Sequence, residues 1–92
     1  MLKKYQYVLE IKSQSDFLLE QLSEGKYSTL DTFANNISHL NLVYSGLLSH
    51  ISDKDFLDWL NTYHPVVCSE IALTGRLIMV LQNFFRLFAG NS

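Results

Sequence analysis

The sequence predicts an all-α protein, an antiparallel three- or four-helix bundle, on three observations. Apolar residues recur at three- and four-residue steps along most of the chain, which is the period of amphipathic helices. There is one proline and there are only four glycines in 92 residues, so long regular elements are favoured. Period-two alternation never persists, and no Asn-Gly or Asp-Gly pair separates candidate strands. Ninety-two residues suffice for one domain, 1–92, because two separate cores of about 50 residues each would be marginal. A 48% hydrophobic share with 17% charged residues places the chain on the ordered side of the composition boundary.

The first helix is expected over about 3–23, with Tyr5, Val8, Ile11, Leu18 and Leu22 on one face and Ser15 the polar member of the row. Gly25 is placed to end it in a left-handed conformation. The second helix, about 28–51, opens on Ser28 and Asp31 as a short-armed capping box. Its row of Leu30, Phe33, Ile37, Leu40, Tyr44, Leu47 and Ile51 makes a single apolar seam, and Asn35, Ser38, Asn41, Ser45 and Ser49 lie opposite. Ser52 and Asp55 repeat the cap signal, so a third segment should start near 53 and bury Phe56, Leu57 and Leu60. Pro65 removes a helical hydrogen bond and biases His64 away from the α region, so the rest either kinks there or splits into 53–63 and 66–89, with Gly90 and Asn91 as the stop.

The last helix carries more apolar girth than the others. Residues 65–92 hold only Glu70, Arg76 and Arg86 as charges, against five basic and eight acidic side chains before them. One row is Val67, Ile71, Ile78, Leu81, Phe85 and Phe88, with Thr74 completing the spacing; the adjoining row is Leu73, Leu77, Val80, Phe84 and Leu87. The two cover roughly half or more of the helix, where an outer helix of a small bundle needs a stripe a little over 100° wide. The first row can be buried by the preceding helices. The second row, if wet, forgoes about 1.5 to 3 kcal/mol per side chain, so Leu73, Leu77, Val80, Phe84 and Leu87 are candidate partner-binding residues. Either this helix is central and covered on both sides, or the row is a homodimer seam or a groove for a client helix. Gly46 and Gly75, inside helices, read as close-packing or bend positions.

The residues exclude several functions. A net charge of −2 offers no basic field for nucleic acid. His39 and His50 share a helix face but stand about 16 Å apart along it, too far for one metal ion, and His50 with Asp53 reads as an ordinary surface contact. No serine lies in a nucleophile elbow, and Cys68 among Val66, Val67 and Ile71 reads as a small buried hydrophobe. Glu10, Asp16, Glu20 and Glu24 read as a solvated face. The chain is therefore expected to be non-enzymatic, without cofactor or metal. No signal peptide is expected, since Gln6, Glu10, Lys12 and Asp16 interrupt the start, and the densest apolar stretch, Leu77 to Ala89, is short for a bilayer. Membrane attachment is disfavoured and a cytoplasmic location is expected.

The run from Tyr5 through Leu9 and Ser15 to Leu18-Leu19, then Gly25-Lys26-Tyr27 and Leu30, resembles the opening of the FliT-like flagellar type III export chaperones. The Leu77-to-Gly90 helix, with Arg76 and Arg86 among leucines and phenylalanines, resembles their long third helix. The resemblance implies a small cytoplasmic helical chaperone that holds a filament-cap or hook-associated protein before export. Members often carry a further C-terminal helix folded over the client surface; its absence from these 92 residues implies an open surface or a helix beyond them. The leading expectation is thus a protein-binding module capturing an amphipathic client helix. The alternatives are a self-assembling helical dimer and a small inhibitor or immunity-type protein that blocks its target with its acidic first two helices.

Overall fold

In a computed structural model describing residues 1–26 and 29–90, the chain is all-α: α1 (Leu2–Ser23), α2 (Leu30–Ile51), α3 (Lys54–Tyr63) and α4 (Pro65–Gly90), packed together with no strand among the described residues. The body is elongated, 46 × 19 × 18 Å. Lys12 and Asp16 of α1 meet Glu70 and Thr74 of α4 in the same order, so α1 and α4 run parallel. Leu22 and Phe33 share one core cluster and Val8 and Leu47 the other, so α2 runs antiparallel to α1. The short α3 lies across the end formed by the start of α1 and the end of α2.

Local chemistry sets each boundary. Gly25 takes φ +74°, its N–H donates to the Leu22 carbonyl at 3.1 Å and that of Lys26 to Gln21 at 2.9 Å, the pair of bonds that closes a helix through a left-handed glycine. The expected cap Ser28 lies outside the described residues. The N-cap of α2 is Thr29, whose hydroxyl accepts from the Thr32 N–H at 3.1 Å. Ser52 is not the cap of α3: its hydroxyl turns back to the Ser49 carbonyl at 2.7 Å, and the Asp53 carboxylate accepts from the Asp55 N–H at 3.1 Å. A carboxylate at the helix start also complements the positive end of the dipole, which the serine could not. Pro65 splits the last region rather than kinking it. His64 leaves the helix at φ −138°, ψ 58°, and Pro65 becomes the first residue of α4, where its missing N–H costs nothing. The stop expected at Asn91 lies outside the described residues, and α4 runs to Gly90.

The core is two clusters joined in the middle. Leu19, Leu22, Phe33, Ile37, Leu40 and Ile78 form one; Val8, Leu47, Phe56, Leu60 and Ile71 form the other. Leu19, one position on from the expected Leu18, is the buried member of its pair, and Leu30 at the start of the α2 row is exposed. Tyr44 packs against both clusters and donates its hydroxyl to the Ile71 carbonyl at 2.8 Å. Burial, working against a lowering hydrogen bond from the Gly75 backbone, pushes the Tyr44 phenol above its ordinary pKa. That ring lies directly on Gly75: a Cβ there would run into the Tyr44 hydroxyl and sit 3.0 Å from its Cζ. A Cβ at Gly46, in contrast, would meet nothing within 4 Å, so no close approach explains that glycine.

The crossing of α3 is aromatic. Tyr5 stacks on His64 with centroids 4.1 Å apart, Trp59 meets the edge of Tyr5 at 5.6 Å, and the Lys4 ammonium sits 4.9 Å over the Phe56 ring while pairing with Asp53 at 3.2 Å. That hydrogen bond and charge hold the Asp53 carboxyl below its ordinary pKa.

Three substitutions test this packing by urea unfolding. Gly75→Ala should lower stability by about 1–2 kcal/mol net, overpacking outweighing alanine's helix propensity, and Tyr44→Phe should relieve part of that clash when the two are combined. Gly46→Ala should raise stability by up to about 1 kcal/mol. Ser15 is fully buried and its hydroxyl has no hydrogen-bond partner among the described residues, so Ser15→Ala should stabilise by about 1 kcal/mol.

Candidate functional site

The two rows of α4 part company. Ile71, Thr74 and Ile78 are buried, and Val67, Leu81 and Phe85 are half-buried against the two core clusters; the side chain of Phe88 lies outside the described residues. The other row is in water along its whole length: Leu73 is 54% exposed, Leu77 42%, Val80 62%, Phe84 56% and Leu87 70%. Val66 and Met79 are exposed as well. α4 is therefore not a central helix covered on both sides.

The reason is geometric. α1 and α4 both rest on α2, and the gap between them on the outer side stays open. Two hollows follow that gap. One, of about 360 Å³, has Leu19 and Glu20 of α1 facing Leu73 and Leu77; the next, of about 290 Å³, has Leu22 facing Val80 and Phe84. Together they line a shallow groove beside Leu73, Leu77, Val80 and Phe84, with apolar residues contributed by both helices, and Leu87 lies beyond it. Sequence reading missed the α1 wall, because Leu22 read only as core and the row was drawn through Leu18 instead of Leu19.

At one end of the groove a polar cluster ties the walls together. The Lys12 ammonium reaches Asp16 Oδ2 and Glu70 Oε2, each at 2.8 Å, and the Thr74 hydroxyl lies 3.0 Å from Asp16 Oδ1 and 3.0 Å from the Glu70 carbonyl. Asp16 is thus part of a helix-to-helix tie and not simply a solvated face, whereas Glu10, Glu20 and Glu24 are exposed. Burial works against the charge on Lys12, but hydrogen bonds and charge from Asp16 and Glu70 outweigh it and hold its pKa above the ordinary 10.5. The spacing of Lys12 to Asp16 was visible as an i,i+4 pair, but the third member, 58 residues on, was not.

The other candidates stay apart. His39 is exposed, His50 packs against Tyr7 at 4.8 Å and His64 against Tyr5. No group of three potential metal ligands forms among the described residues. Cys68 is half-buried and burial raises its thiol pKa, the opposite of what an activated nucleophile needs. The continuity of α4 also corrects its expected apolar length. Pro65–Leu87, with mean hydropathy 1.3, is long and apolar enough to cross a membrane by length and composition, and 17% of that window is buried in the bundle. The shorter stretch expected from Leu77 to Ala89 left out the turns after Pro65, which join the same helix.

Lys12→Met should lower stability by about 1 kcal/mol at neutral pH, allowing for the partial exposure of both carboxylates. A raised lysine pKa contributes stability that is complete below 10.5 and fades as pH rises through the folded value. The gap between Lys12→Met and the unaltered chain, read from thermal melts, should therefore close at strongly alkaline pH. Compared with models of protein families, with characterised proteins and with solved structures, the chain matches none.

Proposed function

We propose that this chain is a non-enzymatic helical protein-binding module that captures an amphipathic helix in the α1/α4 groove, on Leu73, Leu77, Val80, Phe84 and Leu87. A cytoplasmic export or assembly chaperone, the role implied by the resemblance to the FliT-like proteins, is the form of this activity that we favour. The observation that carries the reading is the exposure of the whole row beside an open apolar trough. Five large apolar side chains in steps of four and three residues form a patch on the order of 500 Å², at the upper end of what soluble monomers show, and patches of that size mark interaction sites. An incoming helix with apolar residues at the same steps would fill the trough as a fourth long helix completes a bundle.

Self-association through the same row is the second reading. It is favoured by the heptad-like spacing and by the absence of charge from the row itself. Light scattering across concentration separates the two, since a capture module without client stays monomeric.

Leu77→Gln with Val80→Gln tests the assignment. Both positions are exposed, so the double variant should keep the circular dichroism spectrum and melting temperature of the unaltered chain. Its affinity for a labelled amphipathic peptide helix should fall at least about tenfold, the loss expected from two apolar contacts of roughly 1 kcal/mol or more each. Unchanged affinity would place the docking face elsewhere, and loss of the fold would make these residues core.

A further inference from the structure

The groove has two unlike edges, and the difference specifies what should lie in it. We infer that its occupant is an amphipathic helix bearing Lys or Arg along the flank that faces α1, held by apolar contact with α4 and by charge from Glu20 and the Asp16–Lys12–Glu70 cluster. This rests on the reading of the α4 row as a docking face and adds the chemistry of the partner.

The α1 wall supplies the charge. From residue 13 to residue 23 α1 carries Asp16 and Glu20 and no basic residue, and Glu70 of α4 stands at the same end. Lys12 neutralises one of the three carboxylates, since its single ammonium bridges Asp16 and Glu70. The edge is left with a balance of −2. Glu20 is exposed and lines the hollow with Leu73 and Leu77, and among the described residues no ion pair engages it. Arg76, on the other side of the row, is exposed and away from the α1 edge by its position on the helix wheel. An apolar floor sets affinity for any amphipathic helix; the acidic edge beside it sets orientation and preference, because a basic flank gains Coulomb energy there and an acidic flank meets like charge. A copy of α4 itself is a poor match, with one arginine near its row and Glu70 on the opposite flank.

The test uses the full chain and two labelled synthetic helices of roughly five turns with one apolar stripe in common, flanked by Lys in the first and by Glu in the second. By fluorescence anisotropy, the Lys-flanked peptide should bind about tenfold more tightly at low salt, with the advantage shrinking toward unity between about 0.05 and 0.5 M salt. Glu20→Lys should erase most of the preference, whereas Asp58→Lys, the same charge change on α3, should leave it. Equal binding of the two peptides, or an equal effect of the two charge reversals, overturns the inference and leaves the docking face standing. Failure of both peptides to bind overturns the docking reading itself. A dimer that disappears in Leu77→Gln/Val80→Gln gives the groove to a second copy and overturns the inference too.

Discussion

One apolar seam has to serve two helices. Phe33, Ile37, Leu40 and Leu47 are the buried residues of α2, and they meet α1 and α4 side by side. Asn35, Ser38, Asn41, Ser45 and Ser49 of α2 lie on its other side, and among the described residues no helix covers the outer row of α4. The two parallel helices meet through Val8 with Ile71 and through Leu19 and Leu22 with Ile78 in the core, and through the charged tie at Lys12, while hollows line the outer side between them. The open row does not reflect a loosely placed helix: α4 is held where Tyr44 lies on Gly75 and donates to the Ile71 carbonyl.

Much of this architecture is visible in the residues themselves. Four helical segments and the break at Pro65 follow from periodicity and from proline's missing donor, and the helix end at Gly25 follows from its tolerance of positive φ. Caps are harder to place, because Ser52 and Asp53 are adjacent and both can cap; which one does is decided by the direction in which α3 leaves, a tertiary matter. The choice between Leu18 and Leu19 has the same origin, since a 100° step separates them and the position of α2 and α4 selects one. Gly46 and Gly75 look alike in sequence, and only a residue 31 positions earlier than Gly75 distinguishes them.

The candidate site divides similarly. The doubled apolar rows of α4 are legible because periodicity within one helix is local information. Which flank of the exposed row would be acidic is not, since it depends on α1 being parallel to α4 with Glu20 abreast of Leu77. Lys12 illustrates the limit: its pairing with Asp16 is a matter of helix geometry, its pairing with Glu70 a matter of packing.

The placing of Trp59 has a practical corollary. It is the sole tryptophan, and it sits in the aromatic knot of Tyr5, Phe56, Tyr63 and His64 where α3 crosses the bundle. Val80 and Leu87 lie toward the other pole of a body 46 Å long. Intrinsic emission is accordingly a probe of the α3 crossing, responsive to its melting and to the ring beside it, and silent about events at the distant tip, where an extrinsic dye is the appropriate reporter.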